Sequence, residues 1–337
     1  MFEDLTRAVR ARLDEALAAW LAPHVEVASE VSAEVGAAAE AIARLSLRGG
    51  KRVRAALVGA SYVANGGGDW ADVVPAMIAI ELLQTYLLIH DDWMDDDAVR
   101  RGGPAVHVAL REKLGSKAMG DAGAILAGDL ASAFAQEALL ETPLAPERVL
   151  AASRTFARIQ HEVVVGQLSE MRATSPSGPA PTVEEIHARK TASYTVTGPL
   201  ALGAALAGAT DTRIAELARF GRPLGVAFQL RDDLLGVFGD PSATGKPIWN
   251  DIRQGKRTAL VAELRDHASL AGVLGNANAT HAELEAVVKA METTGARARV
   301  EARVNELLGE AHAALDAIAF DREIMRGAIT MLGERSS

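Results

Sequence analysis

The sequence predicts an all-α protein, a single-domain helical bundle packed around a central cavity or core. Three observations carry the helical part of that expectation. Apolar residues return at helical spacing from one end of the chain to the other. Hydrophobic residues make up 49% of the 337 residues and aromatic residues 4%. The interior must therefore be built largely from Ala, Leu, Val and Ile, and Ala and Leu are good helix formers. Finally, no alternating strand pattern of useful length occurs.

The elements follow in order. Leu5, Val9, Leu13 and Leu17 stand four apart and give a first helix one apolar face. A second helix is expected over Val31 to Leu47, ending at Gly49-Gly50. A third runs from Lys51 to Ala64, before the turn Asn65-Gly66-Gly67-Gly68. The most apolar long run, Val73 to Ile89, contains Pro75, Glu81 and Gln84 and leads into a block of aspartates. Those polar residues favour a buried helix over a membrane span. Further helices are expected at 105–113, 116–140 and 147–172, followed by the loop Thr174 to Pro181. Thr182 with Glu185 has the spacing of a capping box and opens a helix over 183–208. The remaining helices are 212–238, 251–267, 281–292, 296–317 and 321–332, within one domain spanning 1–337.

The bulk properties exclude several classes. A net charge of −9 argues against a nucleic-acid-binding stripe. With no cysteine in the chain, disulfides, thiol catalysis and thiolate metal sites are excluded. The N-terminus MFEDLTRAVRARL is charged and amphipathic with no signal-peptide core after it, so a cytoplasmic protein without stable membrane insertion is expected.

Chemistry concentrates at two acidic clusters. In HDDWMDDDAVRRG, residues 90–102, five aspartates (Asp91, Asp92, Asp95, Asp96 and Asp97) lie within seven positions. Asp91 and Asp95 are four apart, so on a helix their carboxylates share a face. Such a cluster is self-repelling unless solvent or a cation neutralises it. Magnesium, which takes one or two carboxylates plus phosphate oxygens and water, is the natural partner. Arg100 and Arg101 follow at once, placing bases for phosphate beside acids for metal. The second cluster, FQLRDDLLGVFGDPSATGKP at 228–247, carries Asp232 and Asp233 in another apolar helical run, with Lys246, Lys256 and Arg257 downstream. Two such clusters on facing helices would clamp a metal–diphosphate complex from both sides.

Taken together, these motifs resemble the trans-isoprenyl diphosphate synthase, or polyprenyl synthetase, family over nearly the whole chain. They are GGKRVR (Gly49 to Arg54), DDWMD (Asp91, Asp92, Asp95), RRG (Arg100 to Gly102), GQ (Gly166, Gln167), KT (Lys190, Thr191), FQLRDD (Phe228 to Asp233) and GK (Gly245, Lys246). The resemblance implies an all-α bundle around a deep central cavity, in a homodimer, and magnesium as cofactor, three ions with substrate bound. Its substrates would be isopentenyl diphosphate and an allylic diphosphate. Asp91, Asp95 and Asp232 would ligate magnesium, with Asp92 and Asp233 supporting. Arg100, Lys190 and Lys246 would hold the allylic diphosphate, and Lys51, Arg54, Gln84 and Arg101 that of isopentenyl diphosphate. Lys256 joins the substrate-binding set, and Thr191 and Gln229 would sit near the developing cation together with Lys190. Two departures stand out. The second motif has Gly236 where many relatives have a third aspartate, a loss that Asp240 would partly offset, and Ala55 replaces the proline after Arg54.

The implied chemistry is ionisation, condensation and elimination, which needs no protein nucleophile; His90 and His107 are read as structural or as supporting the site from behind. The family also implies a ruler on the helix that ends at Asp91. Looking back along it, Leu87, Leu83 and Ile80 lie near one stripe, and Tyr86 lies five residues before Asp91, about 7.5 Å along the axis. Tyr86 at the fifth position back and Leu87 at the fourth resemble the geranylgeranyl type, with a farnesyl product as the alternative. A class I terpene cyclase would have a second motif of Asn, Ser and Glu and no use for Lys51, Arg54 and Arg101. A non-catalytic subunit of a heteromeric synthase would have lost aspartates that this chain keeps.

Overall fold

The computed structural model describes residues 1–174, 181–239, 248–265, 267–319 and 322–333. Fifteen α-helices appear among the described residues, joined by short 3₁₀ turns, one π-helical segment and a single two-stranded ladder. By their internal contacts they form two compact units. One comprises Met1–Phe156 with Ala201–Thr210, and the other Ala157–Leu200 with Asp211–Ser337.

The first unit contains α1 (Phe2–Val31), α2 (Ala33–Leu47), α3 (Val53–Ala64), α4 (Val74–Met94), α5 (Val106–Leu114), α6 (Lys117–Leu140) and the start of α7 (Pro146–Thr174). In α1, Val9, Leu13 and Leu17 are buried as the four-residue spacing predicts, and Phe2 and Leu21 extend the stripe. Leu5 is only half-buried. The second helix starts later than expected. Ser32 is extended, and its side chain accepts from the Val35 N–H, so Val31 closes α1 and Ser32 caps α2. The core of the unit is α4, packed on α6, α3, α1 and α5. Pro75 sits in its first turn, where its missing N–H costs nothing. Trp70–Met94 is the one stretch among the described residues long and apolar enough to cross a membrane, and 61% of its most apolar window is buried within the chain. A core helix explains both facts.

The second unit contains the rest of α7, α8 (Val183–His187), α9 (Gly198–Leu206, which crosses into the first unit at Ala201), α10 (Asp211–Phe238), α11 (Asn250–Arg253), α12 (Ala259–Leu264), α13 (His281–Thr293), α14 (Ala296–Asp316) and α15 (Glu323–Gly333). Its centre is α10, packed on α14, α15, α12 and the π-helical segment Ala188–Thr197. The capping box is present as expected: Thr182 Oγ1 accepts from Glu185 N–H, and Glu185 accepts from Thr182 N–H at 2.8 Å.

Two expected helices are broken. The one over 183–208 is α8, the π-helical segment and α9 in succession. Pro199 has no N–H to return to the Thr195 carbonyl, and its ring would press on that carbonyl in a regular helix. The wider turn before it relieves both problems. The one over 251–267 is α11 and α12 instead. Gly255 turns left-handed at φ 74°, Thr258 caps α12 by accepting from Val261 N–H, and Arg265 at φ 49° ends it. Most of the loop expected at Thr174 to Pro181 lies outside the described residues.

Candidate active site

In the first unit, α4 ends on the first acidic cluster, with Asp95 as its cap. The aspartates differ sharply in exposure. Asp91 and Asp95 are partly exposed one turn apart, whereas Asp92 is wholly buried. Arg100 Nε donates to Asp92 Oδ1 at 2.7 Å, and its Nη2 also closes on that carboxylate. Burial nevertheless pushes the Asp92 carboxyl up to about 6, against the opposing pull of Arg100. Asp96 and Arg101 both adopt left-handed backbone at φ 51°, Asp96 ahead of the two-residue ladder Val99–Arg100 with Gly103–Pro104 and Arg101 in the turn that joins its strands. Left-handed non-glycine residues are uncommon and gather at functional turns.

Across α4 stands a cationic group. With its amide oxygen turned to them, Gln84 accepts from Arg54 Nη1 at 2.9 Å and Arg101 Nη2 at 3.2 Å. Lys51 is exposed on the same turn as Gly49 and Gly50, and the Gly49 carbonyl accepts from Arg101 Nη1 at 3.3 Å. Both glycines have positive φ, which favours a residue without Cβ. Residues that expectation placed together at Lys51, Arg54, Gln84 and Arg101 are thus gathered beside one helix. The Asp91–Asp95 face belongs to that same helix.

Tyr86 and Leu87 are partly exposed, while Leu83 and Ile80 are fully buried. The Tyr86 ring meets His90 edge to face at 5.0 Å between centroids. His90 Nε2 in turn donates to the Ile125 carbonyl at 3.0 Å, and a Cβ on Gly128 would fall 2.2 Å from that nitrogen. His107 is completely buried.

In the second unit the π-helical segment carries Lys190 and Thr191. Two glycines let it pack closely. A Cβ at Gly166 on α7 would lie 2.3 Å from Lys190 N, and one at Gly225 on α10 would lie 2.4 Å from Ala192 Cβ. Lys190 pairs with Glu170 one turn beyond the GQ pair. Thr191 Oγ1 donates to Gln229 Oε1 at 3.0 Å, and Gln229 Nε2 donates to Asp233 Oδ1 at 3.0 Å. Asp233 Oδ2 accepts from Ala259 N–H at 3.4 Å and lies 3.6 Å from His187. Burial pushes the Asp233 carboxyl up to about 8 and the His187 imidazole down to about 4. Asp232, by contrast, is exposed. Each acidic pair therefore turns its first aspartate outward and its second into the protein.

Sequence reasoning missed one carboxylate. Trp249 Nε1 donates to the Val237 carbonyl at 3.1 Å, and Trp249 N–H donates to Gly236 O at 3.0 Å. These bonds staple α11 to the end of α10. Asp251 Oδ2 then stands 3.4 Å from where a Cβ of Gly236 would be. The missing third position of the second motif is thus met by a carboxylate fifteen residues downstream. Lys256 lies partly exposed on the same turn, its N–H donating to the Asp251 carbonyl at 2.9 Å. Lys246 and Asp240 lie outside the described residues.

No group of three or more His, Asp or Glu side chains among the described residues is arranged to hold a metal unaided. The donors are nonetheless hard carboxylate oxygens, outward-facing and few, which suits a magnesium ion that completes its shell with phosphate oxygens and water.

An all-α chain with two carboxylate pairs, a cationic cluster around Gln84 of α4 and a lysine–threonine pair on a π-helical turn has the features of a helical synthase of the diphosphate-binding type. Comparison with known proteins gives the family. A sequence model of the polyprenyl synthetase family matches residues 37–291, and the chain belongs to that family. It is 41% identical over 229 residues to a geranylgeranyl diphosphate synthase of Mycobacterium tuberculosis, 66% of this chain and 61% of that protein. It is 33% identical over 247 residues to one from Methanosarcina mazei, 73% of each chain. The crystal structure of geranylgeranyl pyrophosphate synthase from Corynebacterium glutamicum, complexed with isoprenyl diphosphate and magnesium, superposes with a TM-score of 0.87. That match has 31% identity and covers 100% of this chain and 99% of that one.

Proposed function

We propose that this protein is a magnesium-dependent trans-prenyltransferase that condenses isopentenyl diphosphate with an allylic diphosphate to give geranylgeranyl diphosphate. The observation that carries the reading is the arrangement on α4. Gln84 gathers Arg54 and Arg101 for a phosphate, and two turns later the same helix presents Asp91 and Asp95. The identities of the relatives support the substrate class and the twenty-carbon product.

Asp91, Asp95 and Asp232 are the residues that would hold magnesium, three ions with substrate bound, and Asp251 supplies the carboxylate that Gly236 lacks. Bound there, magnesium offsets the negative charge that grows on the leaving diphosphate. Arg100, Lys190 and Lys246 bind the allylic diphosphate, Lys51, Arg54, Gln84 and Arg101 bind that of isopentenyl diphosphate, and Lys256 adds a further cation to the substrate-binding set. The allylic C–O bond breaks, the isopentenyl double bond forms the new C–C bond, and a proton leaves to the released diphosphate. Thr191 and Gln229 present oxygens that stabilise the transient positive charge, while Asp92 and Asp233 orient their neighbours from within the protein. Tyr86 limits the length of the chain.

The homodimer reading has support on α6. Met119, Leu126 and Leu140 are exposed at spacings of seven and fourteen residues, one apolar stripe on one helix face. Sedimentation of Leu126→Glu against the parent tests it, with a shift to monomer expected.

The decisive experiment incubates the protein with magnesium, isopentenyl diphosphate and each allylic primer in turn, reading product length by chromatography. Turnover to a twenty-carbon product is expected and a fifteen-carbon product would correct the length. Absence of turnover with every primer defeats the reading.

A further inference from the structure

The loop that delivers Lys51 and Arg54 contains a second arginine that faces the other way. Arg52 has left-handed backbone at φ 51°, yet its side chain is 1% exposed. Its guanidinium donates three times: from Nε to Asp14 Oδ1 at 2.8 Å, from Nη1 to Glu81 Oε2 at 2.9 Å and from Nη2 to the Ser46 carbonyl at 2.8 Å. Glu81 is likewise buried, on α4 one turn before Gln84, and its Oε1 has no hydrogen-bond partner among the described residues. A Cβ on Gly50 would lie 3.9 Å from both Arg52 Nη1 and Arg101 Nη2, so the two guanidiniums approach one point of the backbone.

The charges here are unevenly shared. Burial and the neighbouring Arg52, Arg54 and Arg100 together hold the Arg101 guanidinium below its ordinary value, and Glu81 is the carboxylate that opposes them. Glu81 therefore acts on two arginines while its hydrogen bond goes to one. A buried carboxylate that lost Arg52 would turn to the nearest remaining cation.

We propose that Arg52 is a positioning residue for the isopentenyl diphosphate site: by holding the buried carboxylate of Glu81 it keeps that charge off Arg101, leaving Arg54 and Arg101 to the substrate. The proposal rests on the reading of Lys51, Arg54, Gln84 and Arg101 as that site. The anchor also fixes the turn from which Lys51 and Arg54 project, since Arg52 begins α3 and its carbonyl accepts from Ala56 N–H at 3.0 Å.

The test is a double-mutant cycle of Arg52→Gln and Glu81→Gln, with thermal melts to confirm folding. Steady-state kinetics give KM for each substrate, and calorimetry gives isopentenyl diphosphate affinity. Arg52→Gln should raise KM for isopentenyl diphosphate about tenfold, with KM for the allylic primer and kcat little changed. Adding Glu81→Gln should reverse most of that rise, because the competing charge is gone. If Arg52→Gln does not fold, Arg52→Lys, which retains the charge but not the three-way fork, should show a smaller rise that Glu81→Gln again reverses. A folded Arg52 variant with unchanged KM for isopentenyl diphosphate overturns the proposal, as does a rise that Glu81→Gln leaves in place. If Lys51→Gln and Arg54→Gln also leave that KM unchanged, the site reading itself has failed.

Discussion

Arg100 closes on Asp92, a carboxylate with no exposed surface, at the point where α4 gives way to the ladder 99–104. Removing one partner of a buried pair leaves an uncompensated charge, at a cost of about 3 kcal/mol or more. Arg100→Ala should therefore lower stability by roughly that amount in urea unfolding at pH 7. Arg100→Ala/Asp92→Asn should recover much of it, since the stranded carboxylate is then gone. If the double variant is no more stable than the single one, the pair is not the source of the loss.

The pH dependence of stability has a window set by Asp233 and His187. Asp233 is raised from an ordinary carboxylate value to about 8 in the folded chain, so between about 4 and 8 the folded state holds a proton that the unfolded state has lost. Stability from this group is full below its unfolded pKa and falls as pH rises through 8. His187 is lowered to about 4, so between about 4 and 6.5 the unfolded state holds the extra proton instead. The two offset each other up to pH 6.5, a range in which the Asp92 carboxyl, raised to about 6, adds a decline of its own, and above it Asp233 sets the slope. Without divalent cation, stability should decline from pH 6.5 to 8 by at most about 1.4 kcal/mol per unit. Asp233→Asn should flatten that decline in melts run across the range.

Gly166 should tolerate no side chain. A Cβ 2.3 Å from Lys190 N is an approach that real side chains do not make, and the obstacle is backbone. Gly166→Ala must push the π-helical segment away from α7, at a typical overpacking cost of about 1–3 kcal/mol. Lys190 and Thr191 move with it. Turnover should fall by at least tenfold, about 1.4 kcal/mol in the barrier, even at temperatures where melts show the variant folded. Near-normal activity would mean that Lys190 does not need its observed position.

Tyr86→Ala should lengthen the product. Tyr86 is held by the edge of His90, which is itself locked to the Ile125 carbonyl, so the ring has a defined place on α4. Chromatography of products made from one primer checks this, and an unchanged distribution removes Tyr86 from the ruler.

Much of this was legible in the residues alone. Helical spacing locates nearly every element, and Thr182 with Glu185 announces its capping box because that interaction is local. The common helix of Gln84, Asp91 and Asp95 was legible because α4 is regular, so spacing translates directly into a shared face. What was not legible depends on packing. The break of 183–208 needs the Pro199 ring to meet a carbonyl one turn back. The outward and inward turns of the two aspartate pairs depend on which helix face is covered. Asp251 reaches Gly236 only because the Trp249 indole finds the Val237 carbonyl, a contact that no spacing rule contains. Arg52 and Arg54 look alike in GGKRVR, and only the left-handed turn at Arg52 sends one guanidinium inward and leaves the other for Gln84.

The short second motif makes the sharpest prediction. Asp91 and Asp95 stand one turn apart on α4, so loss of either would leave a second carboxylate on the face proposed to hold magnesium. Asp232 has no such neighbour on α10, because its partner Asp233 is buried and bonded to Gln229 and the Ala259 N–H, and Gly236 brings no side chain. Asp232→Ala should thus be at least as damaging as Asp95→Ala, with kcat/KM down by roughly a thousandfold, about 4 kcal/mol, the loss expected when a major electrostatic contact of the transition state is removed. Asp251→Asn should cost less, because Asp251 acts from outside α10. Manganese binding in the presence of a non-reactive diphosphate analogue, followed by electron paramagnetic resonance, reads the same order without turnover. If Asp232→Ala proves mild and Asp251→Asn severe, the second metal is centred on Asp251, and Asp232 is the accessory ligand.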